Sequence, residues 1–389
     1  MVQTASLFNQ LLQHFPRQEF ANLVRETKAE RHARGFRCWS QFVAMLFCHL
    51  AHADSLRMIC NGLTSCLGKL QHLGLSETIK KSTLSYANEH RPAILFEKLF
   101  WITLERFSSK SMLGPAKKPL RFKNKLLSLD STTISLCLSL FPWAKFKTVK
   151  GGVKVHVLLD HDDYMPQFVQ ITTASHSDVK AAHRVPTQRG SIIVMDRAYI
   201  DFDLWAKWIE AGMFFIVRLR DDLKFADVEC LPVPQHRNIL LDEIVRPTSR
   251  QGQRECPFDL RRIVVWNEEK QETIVLLTNH LSFGASTIAS AYRQRWEIEV
   301  FFKTLKQNLK IKTFVGVSEN ALRIQIWTAL IALLLLRWLH HLRKNSWSFS
   351  ILAALLRLNL FTYRSLQEWL ADPLGTPPLQ SQQLELALS

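Results

Sequence analysis

Two short apolar runs in the middle of this chain each stop at an aspartate: Leu126-Leu-Ser-Leu129 before Asp130, and Ile192-Ile-Val-Met195 before Asp196. Each run is too short for a helix and lacks the alternation of a half-wet strand, so each reads as a strand buried on both faces. A sheet covered on both faces needs helices on both sides, which makes the fold class α/β. Such sheets place ligands beyond the carboxyl ends of their strands. Singly, a strand-end aspartate is most often a cap or turn residue; two of them make a candidate site.

A third carboxylate lies further along. In Ala291 to Lys306 the residues Tyr292, Arg295, Glu299, Lys303 and Lys306 recur at steps of three and four, which puts them on one helix face. Trp296, Ile298, Phe301 and Leu305 fall on the opposite face, so the segment reads as one amphipathic helix. On a solvated helix the Arg295–Glu299 and Glu299–Lys303 pairs would be ordinary i,i+4 ion pairs worth about 0.2–0.5 kcal/mol each. Joined to two strand-end aspartates, the same face presents one metal-ligating carboxylate among groups that suit a polyanion.

The spacing Tyr292, Arg295, Glu299, Lys306 resembles the Tyr-Arg-Glu-Lys signature of bacterial insertion-sequence transposases with an Asp-Asp-Glu site, the "IS four" family. Leu129-Asp130-Ser-Thr-Thr133 and Met195-Asp196-Arg-Ala-Tyr199 resemble that family's two aspartate motifs, in the same order, and the likeness spans about 122–345. Ala198 stands where such proteins carry glycine. The resemblance implies an RNase H-like catalytic core, a DNA-binding N-terminal domain and an inserted β subdomain. It also implies cleavage of element ends and joining of 3′-hydroxyls to target DNA. In that chemistry Asp130, Asp196 and Glu299 would hold two Mg²⁺ ions, with Mn²⁺ as substitute, because hard cations prefer oxygen ligands. Tyr292, Arg295, Lys303 and Lys306 would hold DNA phosphates. Relatives that pass through a DNA hairpin stack a flipped base on a tryptophan of the insertion, and Trp266 is the candidate here; a strand tryptophan is otherwise core. The partners implied are double-stranded terminal inverted repeats, target DNA and a second copy of the chain in the synaptic complex. Two other readings stay open: a metal-dependent nuclease of the same fold without strand transfer, and a silent DNA-binding regulator.

Composition agrees in sign. Lys plus Arg number 50 against 34 Asp plus Glu, a formal charge of +16, as expected of a chain that approaches phosphates. Seven cysteines, without C-x-x-C spacing, favour reduced thiols and a cytoplasmic location over a disulfide framework or zinc module. Cys48, His49 and His52 lie in or beside an apolar run and read as buried side chains rather than ligands. The start of the chain shows no signal-peptide pattern. Ile326–Leu336 is too short for a membrane span and is expected to be a core helix on the catalytic sheet.

The chain therefore divides into a helical N-terminal DNA-binding domain (1–121), a first core part (122–220), an inserted β subdomain (221–286), a second core part with the signature helix (287–345) and C-terminal helices with a loose tail (346–389). Val153–Leu159 and Gln167–Thr172 read as a hairpin around a turn whose Asp160, Asp162 and Asp163 are turn residues rather than metal ligands. In the N-terminal region the basic connector 28–37 suits phosphate contact as well as it suits plain solvation. A helix over Lys80–Arg91, capped by Ser82 or Thr83, would present Tyr86, Asn88, Glu89 and Arg91 to a major groove.

Overall fold

The computed structural model describes residues 5–31, 33–65, 70–75, 77–109, 120, 122–147, 150–220, 222–233, 238–309, 311, 313–343 and 347–375. Contacts divide the chain into two compact units, Met1–Gly114 with Thr304–Ser389, and Pro115–Lys303. The first unit opens with α1 (Leu7–Leu12), α2 (Arg17–Glu26), α3 (Cys38–Leu50), α4 (Leu56–Thr64), α5 (Lys81–His90) and α6 (Ile94–Ser109).

The second unit is built on one ten-stranded sheet. Its strands are β1 (Leu126–Leu136), β2 (Lys145–Lys147), β3 (Lys150–Asp160), β4 (Pro166–Thr173), β5 (Ile192–Met195), β6 (Phe214–Arg218), β7 (Phe225–Cys230), β8 (Ile239–Pro247), β9 (Leu260–Asn267) and β10 (Glu272–Thr278). Neighbours run β2-β3-β1-β5-β6-β10-β9-β8-β7, with β4 also on β3. The antiparallel trio β4-β3-β1 followed by the parallel β5 and β6 is the RNase H-like arrangement that the strand order implies. The stretch 221–286, expected as an inserted subdomain, does not form a sheet of its own: β10 pairs with β6, and β7 to β10 prolong the core sheet.

Helices α7 (Asp178–Ala182), α8 (Phe202–Glu210), α9 (Arg250–Glu255), α10 (Ala285–Arg293) and α11 (Trp296–Asn308) complete this part of the chain. The apolar runs are continuous because the two sheet faces alternate along them. Leu127, Leu129, Ile193 and Met195 pack with Leu204, Trp205 and Trp208 of α8. Leu126, Ile192 and Val194 pack with Ala285, Ile288 and Ala291 of α10. Helix α8 starts where the Asp201 carboxylate accepts the Leu204 N–H at 2.8 Å, and it ends ahead of Gly212, whose φ of +70° suits a C-terminal stop.

The chain returns to the helical unit with α12 (Glu319–Leu342), α13 (Phe349–Asn359) and α14 (Leu366–Ala371). Helix α12 is long and apolar enough to cross a membrane by composition, yet 89% of its apolar window is buried. Its packing partners are α3, α5, α6 and α13, which corrects the expectation that its apolar run lies on the catalytic sheet. Within this core His49 is paired at both ring nitrogens, whereas the Trp338 and Trp369 indole N–H groups are buried without a partner among the described residues. His49 has Nδ1 3.1 Å from the Leu309 carbonyl and Nε2 3.0 Å from Thr328 Oγ1, and burial pushes its pKa down to about 4. The tail beyond Gly375 lies outside the described residues.

Candidate active site

β1 and β5 run parallel and in register from Leu126 opposite Ile192 to Leu129 opposite Met195. The next residue on each strand is an aspartate, so Asp130 and Asp196 emerge side by side where this ladder stops. β1 itself does not end there: it continues to Leu136 paired only with β3, so Asp130 sits within a strand rather than at its end. In phase with Leu126 and Ser128, Asp130 projects from the face that α10 covers.

Asp196 Oδ1 accepts the Ala198 N–H at 2.8 Å and caps a short 3₁₀ turn, Arg197–Tyr199. Among the described residues the non-glycine positions with positive φ are Lys28, His52, Tyr164 and Gln271, so Ala198 has an ordinary backbone and the missing glycine costs this turn nothing.

The signature segment is not one helix. Tyr292 lies in the last turn of α10, Arg295 in the break, and Glu299 in α11. The N–H groups of Gln294, Arg295, Glu297 and Ile298 all reach back three residues, a tightened turn that resets the helical phase. Arg295 nonetheless joins the carboxylates: its Nη2 is 2.6 Å from Glu299 Oε1 and its Nη1 3.7 Å from Asp130 Oδ2. Its guanidinium carbon lies 5.9 Å from the Tyr292 ring centre.

Burial, followed by the Asp196 charge and more weakly by Glu299, pushes the Asp130 carboxyl up to about 7, against the pull of the Ser131 N–H and Arg295. Three carboxylates therefore feel one another here, with a single guanidinium between two of them. Lys303 is exposed one turn past Glu299, and Lys306, half-buried, follows one turn later. Lys306 falls in the other compact unit.

An all-oxygen donor set of this kind fits hard divalent cations. The three carboxylates do not close into a cage. Among the described residues, the group whose ligand atoms all lie within 4.8 Å of one another is His183, Asp201 and Asp203. Asp201 there is the cap of α8, and Asp203 is exposed.

Beside the carboxylates is a cavity of about 610 Å³ lined by Tyr292, Arg295, Trp266, Trp296, Asn238 and Asn267. Trp266 on β9 is half-buried. Trp296, placed by periodicity on the apolar face with Ile298, Phe301 and Leu305, is instead 59% exposed, while the other three are buried. The reset of helical phase explains the error, and adjacency to Arg295 was the one signal that could have flagged Trp296.

The proposed recognition helix fares differently. Asn88 is buried, accepting from Gln41 Nε2 at 2.8 Å, and Arg91 donates to Gln41 Oε1 and the Phe36 carbonyl, so neither is presented for base reading. The N-cap is Lys80 rather than Ser82 or Thr83. Tyr86 remains exposed, stacked on His90. Asp160 binds Lys125 at 2.8 Å and the Asp162 N–H at 2.9 Å, and Asp163 accepts the Met165 N–H, which are the contacts of turn residues.

Comparison with known proteins identifies the family. A family profile described as a transposase DDE domain matches residues 121–335, and one described as a domain of unknown function matches 3–76. The chain is 29% identical to a protein of Geobacillus stearothermophilus named as a probable transposase for insertion sequence element IS5377, over 69% of this chain and 70% of that one. It is 31% identical to a Sinorhizobium fredii protein named as transposase y4zB, over 65% and 70% of the two chains. Among solved structures, a piggyBac transposase synaptic complex with hairpin DNA aligns at a TM-score of 0.43 and 11% identity, covering 96% of this chain and 81% of that one. With more than half its length matched by the transposase profile and an RNase H-like sheet bringing Asp130, Asp196 and Glu299 within electrostatic reach, the chain belongs to the DDE transposase family.

Proposed function

We propose that the protein binds the terminal inverted repeats of an insertion sequence, cleaves the element ends by two-metal-ion phosphodiester hydrolysis and joins the 3′-hydroxyls to target DNA. The observation that supports this most is the meeting of Asp130, Asp196 and Glu299 around the end of one parallel strand pair. Two bound Mg²⁺ ions, or Mn²⁺ in their place, would supply an activated oxygen nucleophile and charge relief at the leaving oxygen. Asp130, Asp196 and Glu299 would hold them.

The remaining roles belong to side chains. Arg295 offers a planar fork of donors to a phosphate, backed by the Tyr292 ring, and Lys303 and Lys306 add point charges along the following two turns. Asp130 must lose its proton before it can ligate, so cation binding competes with protonation there. The cavity between Trp266 and Trp296 suits a base turned out of the duplex, since stacking on an aromatic platform is worth about 1–3 kcal/mol per base. Pairing of two element ends calls for a homodimer in the synaptic complex. The place of action is the DNA of the bacterial cytoplasm.

The test is strand cleavage and joining on labelled DNA carrying the flanking repeats, with Mg²⁺, comparing wild type with Glu299→Gln. End-specific nicking and joined products that vanish in the variant are expected. Binding without chemistry in both proteins would favour a silent regulator, and cutting without end preference or joining a plain nuclease.

A further inference from the structure

The ladder that sets Asp130 beside Asp196 stops one residue short of both. Beyond it, backbone pairing no longer fixes their separation: β1 goes on with β3 alone, and Asp196 enters a 3₁₀ turn. On the sheet face opposite Asp130 a half-buried polar cluster spans this gap. Ser131 Oγ donates to Asp178 Oδ1 at 2.6 Å, and Lys154 Nζ on β3 donates to Asp178 Oδ2 at 2.8 Å. His156 Nδ1 stands 3.4 Å from Asp178 Oδ1, while its Nε2 pairs with Thr172 Oγ1 at 2.9 Å. Tyr199, three residues past Asp196 and 1% exposed, has a buried hydroxyl in the field of Asp130 and, more weakly, of Asp178 and Asp196. Cross-strand register explains the grouping, because Ser131 lies opposite His156 and Thr133 opposite Lys154. Asp178 thus touches the neighbour of one catalytic aspartate, and its short helix α7 packs on the turn that follows the other.

We infer that Asp178 is a positioning residue: bonded to Ser131 and Lys154 and carried on α7 against the turn after β5, it ties β1 to that turn and so sets the Asp130–Asp196 separation that cation binding requires. The lever is rigidity. A half-buried carboxylate satisfied by a hydroxyl and an ammonium cannot shift without weakening one of those bonds. Its effect passes through Asp130 and Asp196. This inference rests on the reading of those two residues as metal ligands.

The experiment is calorimetric titration of the full-length protein with Mn²⁺, alongside thermal unfolding, for wild type, Asp178→Ala, Asp178→Asn, Glu299→Gln and Trp205→Phe. Trp205→Phe loosens the apolar core around α8 while leaving Asp178, Ser131 and Lys154 and their hydrogen bonds in place. Asp178→Ala is expected to weaken Mn²⁺ binding about 10- to 100-fold, the usual scale for lost support behind a ligand. Asp178→Asn, which keeps an acceptor for Ser131 but not the charge facing Lys154, should fall between. DNA nicking by Asp178→Ala should recover as Mn²⁺ is raised. Trp205→Phe should lose thermal stability and keep its Mn²⁺ affinity. Wild-type affinity in Asp178→Ala, or an equal loss in Trp205→Phe, overturns the inference. Wild-type protein without Mn²⁺ binding sensitive to Glu299→Gln would instead sink the metal reading, and this inference with it.

Discussion

Asp130 concentrates the chemistry of the site in one protonation equilibrium. Its carboxyl is raised from 3.8 to about 7, first by burial and then by Asp196. For a carboxyl whose folded pKa is raised, the stabilising contribution is fully present below the unfolded value and is lost as pH climbs through the folded one. Metal-free Asp130→Asn should therefore melt higher than wild type above pH 7, with the advantage shrinking to nothing by about pH 4. A series of melting curves across that range checks it, and an unchanged difference at all pH values would contradict the burial argument. The neighbouring tryptophans make a second case at this scale. Trp296→Ala should weaken binding of hairpin-ended DNA by about 1–3 kcal/mol with little loss of stability, because the ring is exposed. Trp266→Ala should cost both, since its half-buried ring also packs.

At the scale of elements, the prolonged sheet is held by an ion pair. Arg261 on β9 grips Asp242 on β8 with Nε and Nη2 at 2.7 and 2.6 Å, and both side chains are nearly fully buried. The same guanidinium donates to the Leu281 and Phe283 carbonyls just ahead of α10, so it links the sheet to the helix that carries Tyr292. Removing one partner strands the other charge: Asp242→Ala should destabilise by about 3–5 kcal/mol in denaturant melts. Asp201→Ala, which removes the cap of α8, should cost only about 1 kcal/mol. The gap between the two variants separates a buried charge from a helix end.

For the whole molecule, buried histidines decide the acid limb of stability. Burial pushes His49, His156 and His161 down to about 4 from 6.5. A folded pKa below the unfolded one means that stability is lost as pH falls from about 6.5 toward 4, in the same window where Asp130 works the other way. His176, His280 and His340 are also lowered and, among the described residues, only Glu97 joins Asp130 among the raised carboxyls, so the melting temperature should drop on acidification, and His49→Gln should flatten that drop. The net charge of +16 acts at longer range. Affinity for DNA should fall steeply and log-linearly with salt, and a flat salt response would argue against phosphate contacts as the main source of binding.

The sequence by itself determined what depends on neighbours along the chain. Uninterrupted apolar runs dictate strands buried on both faces, the order of elements dictates an RNase H-like sheet, and spacing by three and four singles out Arg295 and Glu299, which do touch. Turn acids and the buried His49 were legible for the same reason: their chemistry is local. Tertiary structure decided whatever depends on residues distant in sequence. β1 continues past Asp130 because β3 pairs with it, 221–286 joins the core sheet because β10 finds β6, and α12 serves the helical unit because α3 and α6 offer matching apolar faces. Asn88 turned inward to meet Gln41, Trp296 turned outward when the helix broke, and Asp178 found Ser131 across the sheet. Periodicity records that a side chain will be buried or wet, but only packing names its partner.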